Sequence, residues 1–152
     1  MCTSLEGINM IIGYTAGVFD LFHVGHVNIL RNARSLCDKL IVGVTIDELV
    51  SYKGKKPVIP FNERIQVVRA CKYVDVALPQ NDMDKLGAVS KYHANILFVG
   101  DDWYATDKWK DYEDKLSKIG CKIIYFPYTE NTSSTLINKA LLGLEEEMYE
   151  YL

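Results

Sequence analysis

Short apolar runs alternate with longer amphipathic stretches along the whole chain, and this alternation constrains the fold more than any other feature. Runs rich in Ile, Val and aromatic residues at 8–14, 40–46, 74–78, 96–99 and 122–126 read as five strands. The stretches between and after them read as helices: 25–37, with Val27, Leu30, Ala33 and Cys37 on one stripe; 61–73, with Phe61, Ile65 and Val68; 83–93; 107–119, stopped by Gly120; and 134–142, stopped by Gly143. Nearly continuous apolar strands joined by crossover helices imply a parallel sheet covered on both faces. The expected architecture is therefore α/β: a Rossmann-like, doubly wound, five-stranded parallel sheet.

A length of 152 residues, 49% hydrophobic, fits one domain, placed at 1–142. The remaining segment, 143–152, is an acidic tail with four Glu and no Lys or Arg, and it accounts for the formal charge of −3. The body is thus nearly neutral, which argues against a nucleic-acid binder. Cys2, Cys37, Cys71 and Cys121 match no zinc or redox spacing and read as reduced, mostly packed thiols. The chain shows neither a leader pattern nor a membrane-length apolar run, so a cytoplasmic protein with no membrane partner is expected.

Ligands of such sheets bind beyond the carboxyl ends of the strands. After the first strand comes Gly17-Val18-Phe19-Asp20-Leu21-Phe22-His23-Val24-Gly25-His26, running into a helix. A glycine permits close backbone approach, the helix N-terminus offers unpaired N–H groups, and histidines three apart can aim ring N–H groups at one anion. A polyphosphate suits this arrangement. The alternatives are structurally satisfied histidines or half of a metal site, although no third His or Cys stands nearby.

Other segments at the same edge carry further signals. Lys53, Lys55 and Lys56 lie on an expected loop, as a solvated surface or as cations over phosphates. Arg64 opens the next helix, where its fork could pair with a phosphate. Asp20 and Asp47 follow the first and second strands. Gly100-Asp101-Asp102-Trp103 follows the fourth. Residues 128–135, Tyr-Thr-Glu-Asn-Thr-Ser-Ser-Thr, precede the last helix as an N-cap or a second phosphate cradle.

Taken together, these motifs resemble the nucleotidyltransferases with a His-x-Gly-His signature, and among them the cytidylyltransferase family, over about residues 11–142. The likeness rests on His23-Val24-Gly25-His26, Lys53, Lys55, Asn62-Glu63-Arg64, Tyr73-Val74-Asp75, Gly100-Asp101-Asp102-Trp103 and residues 129–135. It implies an enzyme that transfers CMP from CTP to a phosphorylated small polar acceptor, with glycerol 3-phosphate the leading candidate, releasing pyrophosphate. The alternatives are an adenylyltransferase of the same superfamily, a CTP-dependent enzyme for another acceptor, and a nucleotide-binding regulatory protein.

The resemblance implies catalytic roles for His23, His26, Lys53 and Arg64. It implies nucleotide binding by Gly17, Val18, Phe19, Gly25, Asp102, Thr129, Ser133 and Ser134, and acceptor binding by Asp20, Asp47 and Lys55, the two carboxylates serving the acceptor or the loop architecture. It further implies Mg²⁺ held mainly by phosphates with no protein metal site, and a homodimer with Tyr73-Val74-Asp75 near the contact. The chain departs from the family's usual Arg-Thr-x-Gly-Ile-Ser-Thr-Thr: Tyr128 replaces the Arg, Asn131 the Gly, Thr132 the Ile and Ser134 a Thr. Lys72 stands where the family often has Arg.

Overall fold

A computed structural model describes residues 9–51, 56–100, 106–127 and 133–150. Five strands, β1 (Ile12–Gly17), β2 (Lys39–Thr45), β3 (Val76–Gln80), β4 (Ile96–Gly100) and β5 (Lys122–Phe126), form one sheet in the order β3-β2-β1-β4-β5. All neighbours are parallel; β1 meets β2 from Ile12↔Lys39 to Gly17↔Val44 and meets β4 at Gly13↔Ile96 and Tyr14↔Leu97. The strand order reverses between β1 and β4, and in such sheets the crevice at that point takes the ligand.

Helices cover both faces. Helix α1 (Val24–Ser35) and helix α3 (Phe61–Ala70) bury Leu30, Ala33, Ile65 and Val68 against Val42, Val44 and Phe98. On the other side α4 (Lys85–Tyr92) and α5 (Asp107–Lys118) bury Val89, Trp109 and Leu116 against Tyr14, Ile41 and Leu97. Alternate residues of each strand thus feed two separate cores, which explains why the strands read as unbroken apolar runs. Cys37 and Cys121 are buried in these cores and Cys71 is half-buried, all three as free thiols. No helix among the described residues is long and apolar enough to cross a membrane.

Several boundaries differ from expectation. Strand β1 begins at Ile12, because the Asp38 carboxylate accepts the Ile11 N–H (2.7 Å) and Asn95 Oδ1 accepts the Ile12 N–H (2.8 Å). These caps take the place of ladder bonds, and Met10 and Ile11 stay exposed. A five-residue helix, α2 (Asp47–Ser51), follows β2 where a loop was expected. Gly120, at φ +80°, closes α5 as expected; its N–H and that of Cys121 bond back to Ser117 and Leu116. Gly143 does not end the last helix, α6 (Ser134–Glu150), which continues into the acidic segment.

Candidate active site

The histidine loop is held by its own backbone and by its neighbours. Phe19 and Leu21 both adopt left-handed backbone, φ +53° and +49°, a conformation costly for side chains without special support. That support includes burial of Phe19 in the α1 and α3 core and the Asp20 carboxylate. Asp20 Oδ2 accepts the Val58 N–H (2.8 Å), and Oδ1 accepts those of Ile59 (2.9 Å) and Leu21 (3.1 Å). Asp20 therefore ties the loop to the segment leading into α3.

His23 is the N-cap of α1. Its Nδ1 accepts the Gly25 N–H at 3.0 Å, while His26 Nδ1 accepts the His23 N–H at 3.2 Å. With each Nδ1 occupied as an acceptor, the proton of each neutral ring resides on Nε2, so both rings present an Nε2–H donor. The ring centroids lie 4.0 Å apart. Phe22 stacks on His26 at 5.3 Å and Phe19 lies at 5.4 Å. Burial, reinforced by neighbouring His23 and opposed by Asp20, pushes the His26 pKa down to about 4; burial also lowers that of His23. At neutral pH the pair is neutral and presents two donors at a helix N-terminus, an arrangement that can meet an anion.

Arg64 corrects an expectation. It is 1% exposed and presents no fork at the ligand edge. Its Nη1 donates to Val18 O (2.6 Å) and Thr45 O (2.8 Å), its Nε to Ile59 O (2.8 Å) and its Nη2 to Asp47 Oδ1 (2.6 Å). One guanidinium thereby joins the loop after β1, the end of β2, the start of α2 and the segment before α3. Asp47, expected to meet the acceptor, is the ionic partner of this joint and also accepts the Phe61 N–H at 3.2 Å. Desolvation raises the Asp47 pKa, but the Arg64 and Phe61 hydrogen bonds and the charges of Arg64 and Lys56 outweigh it and leave the carboxyl below its ordinary value.

Ser134, at the start of α6, donates its hydroxyl to Asp20 O, and Ser133 Oγ accepts the Leu136 N–H at 3.1 Å. The capping role of Ser133 is therefore present, and the N-terminus of α6 is brought against the histidine loop across 114 residues of chain. Gly17, Val18, Phe19, Asp20, His23, Gly25, His26, Ser133 and Ser134 thus gather at one edge, with Asp47 and Arg64 bracing it. Lys53, Lys55, Asp102, Trp103, Tyr128 and Thr129 lie outside the described residues.

A groove of about 680 Å³ opens beside this edge, lined by Asp47, Glu48, Ser51, Lys56, Val58 and Pro60. Glu48 and Ser51 were not singled out from the sequence, since α2 itself was not foreseen; Asp47-Glu48 in its first turn was the available signal. The described residues hold no group of three or more His, Cys, Asp or Glu able to cage a metal ion.

The histidine pair at the start of α1 thus stands beside the crevice of a parallel sheet in an α/β domain. Residues 14–140 match the cytidylyltransferase-like family, and the chain belongs to that family and is a nucleotidyltransferase. Among its relatives, a glycerol-3-phosphate cytidylyltransferase of Staphylococcus aureus is 33% identical over 130 residues, 85% of this chain and 93% of that one. An FAD synthase of Archaeoglobus fulgidus is 33% identical over 108 residues, 71% of this chain and 78% of that one. A crystal structure of a lipopolysaccharide core biosynthesis protein from Thermoplasma volcanium has a TM-score of 0.67 and 27% identity, covering 82% of this chain and all of that one.

Proposed function

We propose that the protein transfers CMP from CTP to a phosphorylated small polar acceptor, with glycerol 3-phosphate the leading candidate. The observation that carries this reading is the pair of Nε2–H donors fixed side by side at the N-terminus of α1. A phosphate oxygen of the acceptor attacks the α-phosphorus; the new O–P bond forms as the bond to pyrophosphate breaks. The nucleophile is already an anion, so the reaction needs alignment and charge stabilisation and no general base.

His23 and His26 donate to the phosphates as charge shifts onto the leaving group. Gly17, Val18, Phe19 and Gly25 supply close backbone approach, and Ser133 and Ser134 place the start of α6 opposite. Lys53 and Lys55 neutralise the two anionic substrates, Asp102 contacts the nucleoside, and Thr129 joins the phosphate cradle; these assignments rest on the family likeness. Arg64, Asp20 and Asp47 act as positioning residues that hold the loops. Among the described residues, the Asp20 carboxylate is engaged by backbone N–H groups and that of Asp47 by Arg64. Mg²⁺ would be held mainly by the triphosphate and would supply neutralisation of the pyrophosphate charge.

Steady-state pyrophosphate release with CTP, ATP, GTP and UTP against a panel of phosphorylated small molecules tests the reading. Turnover confined to CTP and a phosphorylated acceptor supports it, whereas turnover with ATP alone favours adenylyl transfer, the reading to which the FAD synthase likeness points. A homodimer, with Tyr73-Val74-Asp75 near the contact, belongs to the same proposal; a monomer in light scattering at micromolar concentration would contradict it.

A further inference from the structure

His26 lies among three other rings. Phe22 stacks on its face, with centroids 5.3 Å apart and planes inclined by 24°. Phe19 leans in at 5.4 Å and 55°, and His23 stands 4.0 Å away at 34°. Left-handed backbone at Phe19 and Leu21 turns the chain on either side of Asp20, so two phenylalanines three residues apart reach one imidazole. The two differ in what holds them. Phe19 is 7% exposed and belongs to the core under α1 and α3, whereas Phe22 is half-buried and packs at the margin of that core. Phe19 thus serves the fold first, and Phe22 is placed to serve the ring it covers.

A stacked ring restrains an imidazole without competing for its protons. The N–H and the lone pair lie in the imidazole plane, and offset stacking covers the face while leaving the edge open. In that plane His26 Nδ1 accepts the His23 N–H at 3.2 Å. A single in-plane bond lets the ring swing about it, and cover by Phe22 removes that freedom. Turning the ring over about Cβ–Cγ would put carbon in the place of Nδ1 and carbon in the place of Nε2. A donor fixed at one point therefore needs both restraints.

The same cover keeps water from the ring. Burial is the main cause of the low His26 pKa, about 4; of the titratable groups facing the ring, His23 lowers it further and Asp20, on the loop after β1, raises it. A protonated ring would turn Nδ1 into a donor facing the His23 N–H, and the bond that orients it would be lost. Neutrality and orientation of His26 thus depend on one and the same contact.

We propose that Phe22 is a positioning residue of the transferase: its ring, stacked on His26, holds the Nε2–H at the point where phosphate charge develops. The inference rests on the transferase reading above and assigns a role to a side chain that touches no reacting atom. In the test, the parent, Phe22→Leu and Phe22→Tyr proteins are labelled with ¹⁵N-histidine and titrated while the His26 ring nitrogens are followed. Leucine keeps an apolar side chain and removes the stacking face; tyrosine keeps the face. In Phe22→Leu the His26 midpoint is expected to rise by about one pH unit, and the Nδ1 and Nε2 signals to draw together as tautomers mix. In turnover kcat falls about tenfold while the CTP KM holds, as for a group that acts in the transition state. Phe22→Tyr restores both readouts. Should Phe22→Leu not fold, Phe22→Met makes the same comparison. Unchanged His26 signals in the variant without the ring overturn the proposal, as do equal losses in Phe22→Tyr or shifted signals with unaltered kcat; each leaves cytidylyl transfer standing. Absence of pyrophosphate release with every nucleotide and acceptor overturns the transferase reading instead, and the ring signals still decide whether Phe22 positions His26.

Discussion

Arg64 Nη2 stands 2.6 Å from Asp47 Oδ1, with the arginine 1% and the aspartate 43% exposed at the side chain. The pair is asymmetric: water reaches the carboxylate, while the guanidinium depends wholly on the protein. Arg64→Met leaves the carbonyls of Val18, Thr45 and Ile59 without their donor and is expected to cost about 3 kcal/mol. Arg64→Lys keeps the charge but cannot reach three segments at once, so it loses nearly as much. Asp47→Asn costs about 1 kcal/mol. Urea unfolding of the three variants measures the order.

The two histidines cap α1 and, in the proposed function, also serve the reaction, and substitution can separate these. His23→Asn keeps a good N-cap and removes the ring donor. Its thermal midpoint is expected to stay close to the parent's while turnover falls by about 10² to 10³. His26→Ala loses a similar factor in turnover and its bond to the His23 N–H as well. Calorimetry beside pyrophosphate release distinguishes the two.

Neutral histidines also fix a pH response. As pH falls through 6.5 the unfolded His26 takes up a proton, whereas the folded ring does so only near about 4. The unfolded state binds more protons in that window, so this contribution is complete above pH 6.5 and is lost progressively as pH drops toward about 4. His23 acts in the same direction. Urea unfolding across this range is expected to show the slope, and His26→Gln to reduce it. Ring resonances of His26 that titrate near its ordinary value would contradict the assignment.

Ser134→Ala removes the hydroxyl that joins the start of α6 to Asp20 O. The expected cost is about 1 kcal/mol of stability, and a rise of about fivefold in the CTP KM if α6 helps to hold phosphates. An unchanged KM with the expected stability loss would restrict Ser134 to a structural role.

The fold was largely legible because its signal is repeated. Strand β5 and helix α5 fall within a residue of expectation, since apolar periodicity and the Gly120 stop agree. Gly143 misled because a glycine in a helix interior costs only about 1 kcal/mol, which its flanking helix formers outweigh. At the site, the histidine pair was readable from its setting, but its capping role was not: imidazole is no standard cap. Arg64 was the larger error. Whether a guanidinium faces a ligand or is consumed by backbone carbonyls depends on four separated segments meeting, and a linear motif carries no information about Val18 O or Thr45 O.

The double use proposed for His23 and His26 has a consequence for the history of such chains. Because the same two rings begin α1, a descendant that gave up nucleotide chemistry would still be held to them by its need to fold. A histidine pair surviving in a silent relative would then record architecture, and loss of activity would show first in residues that brace nothing.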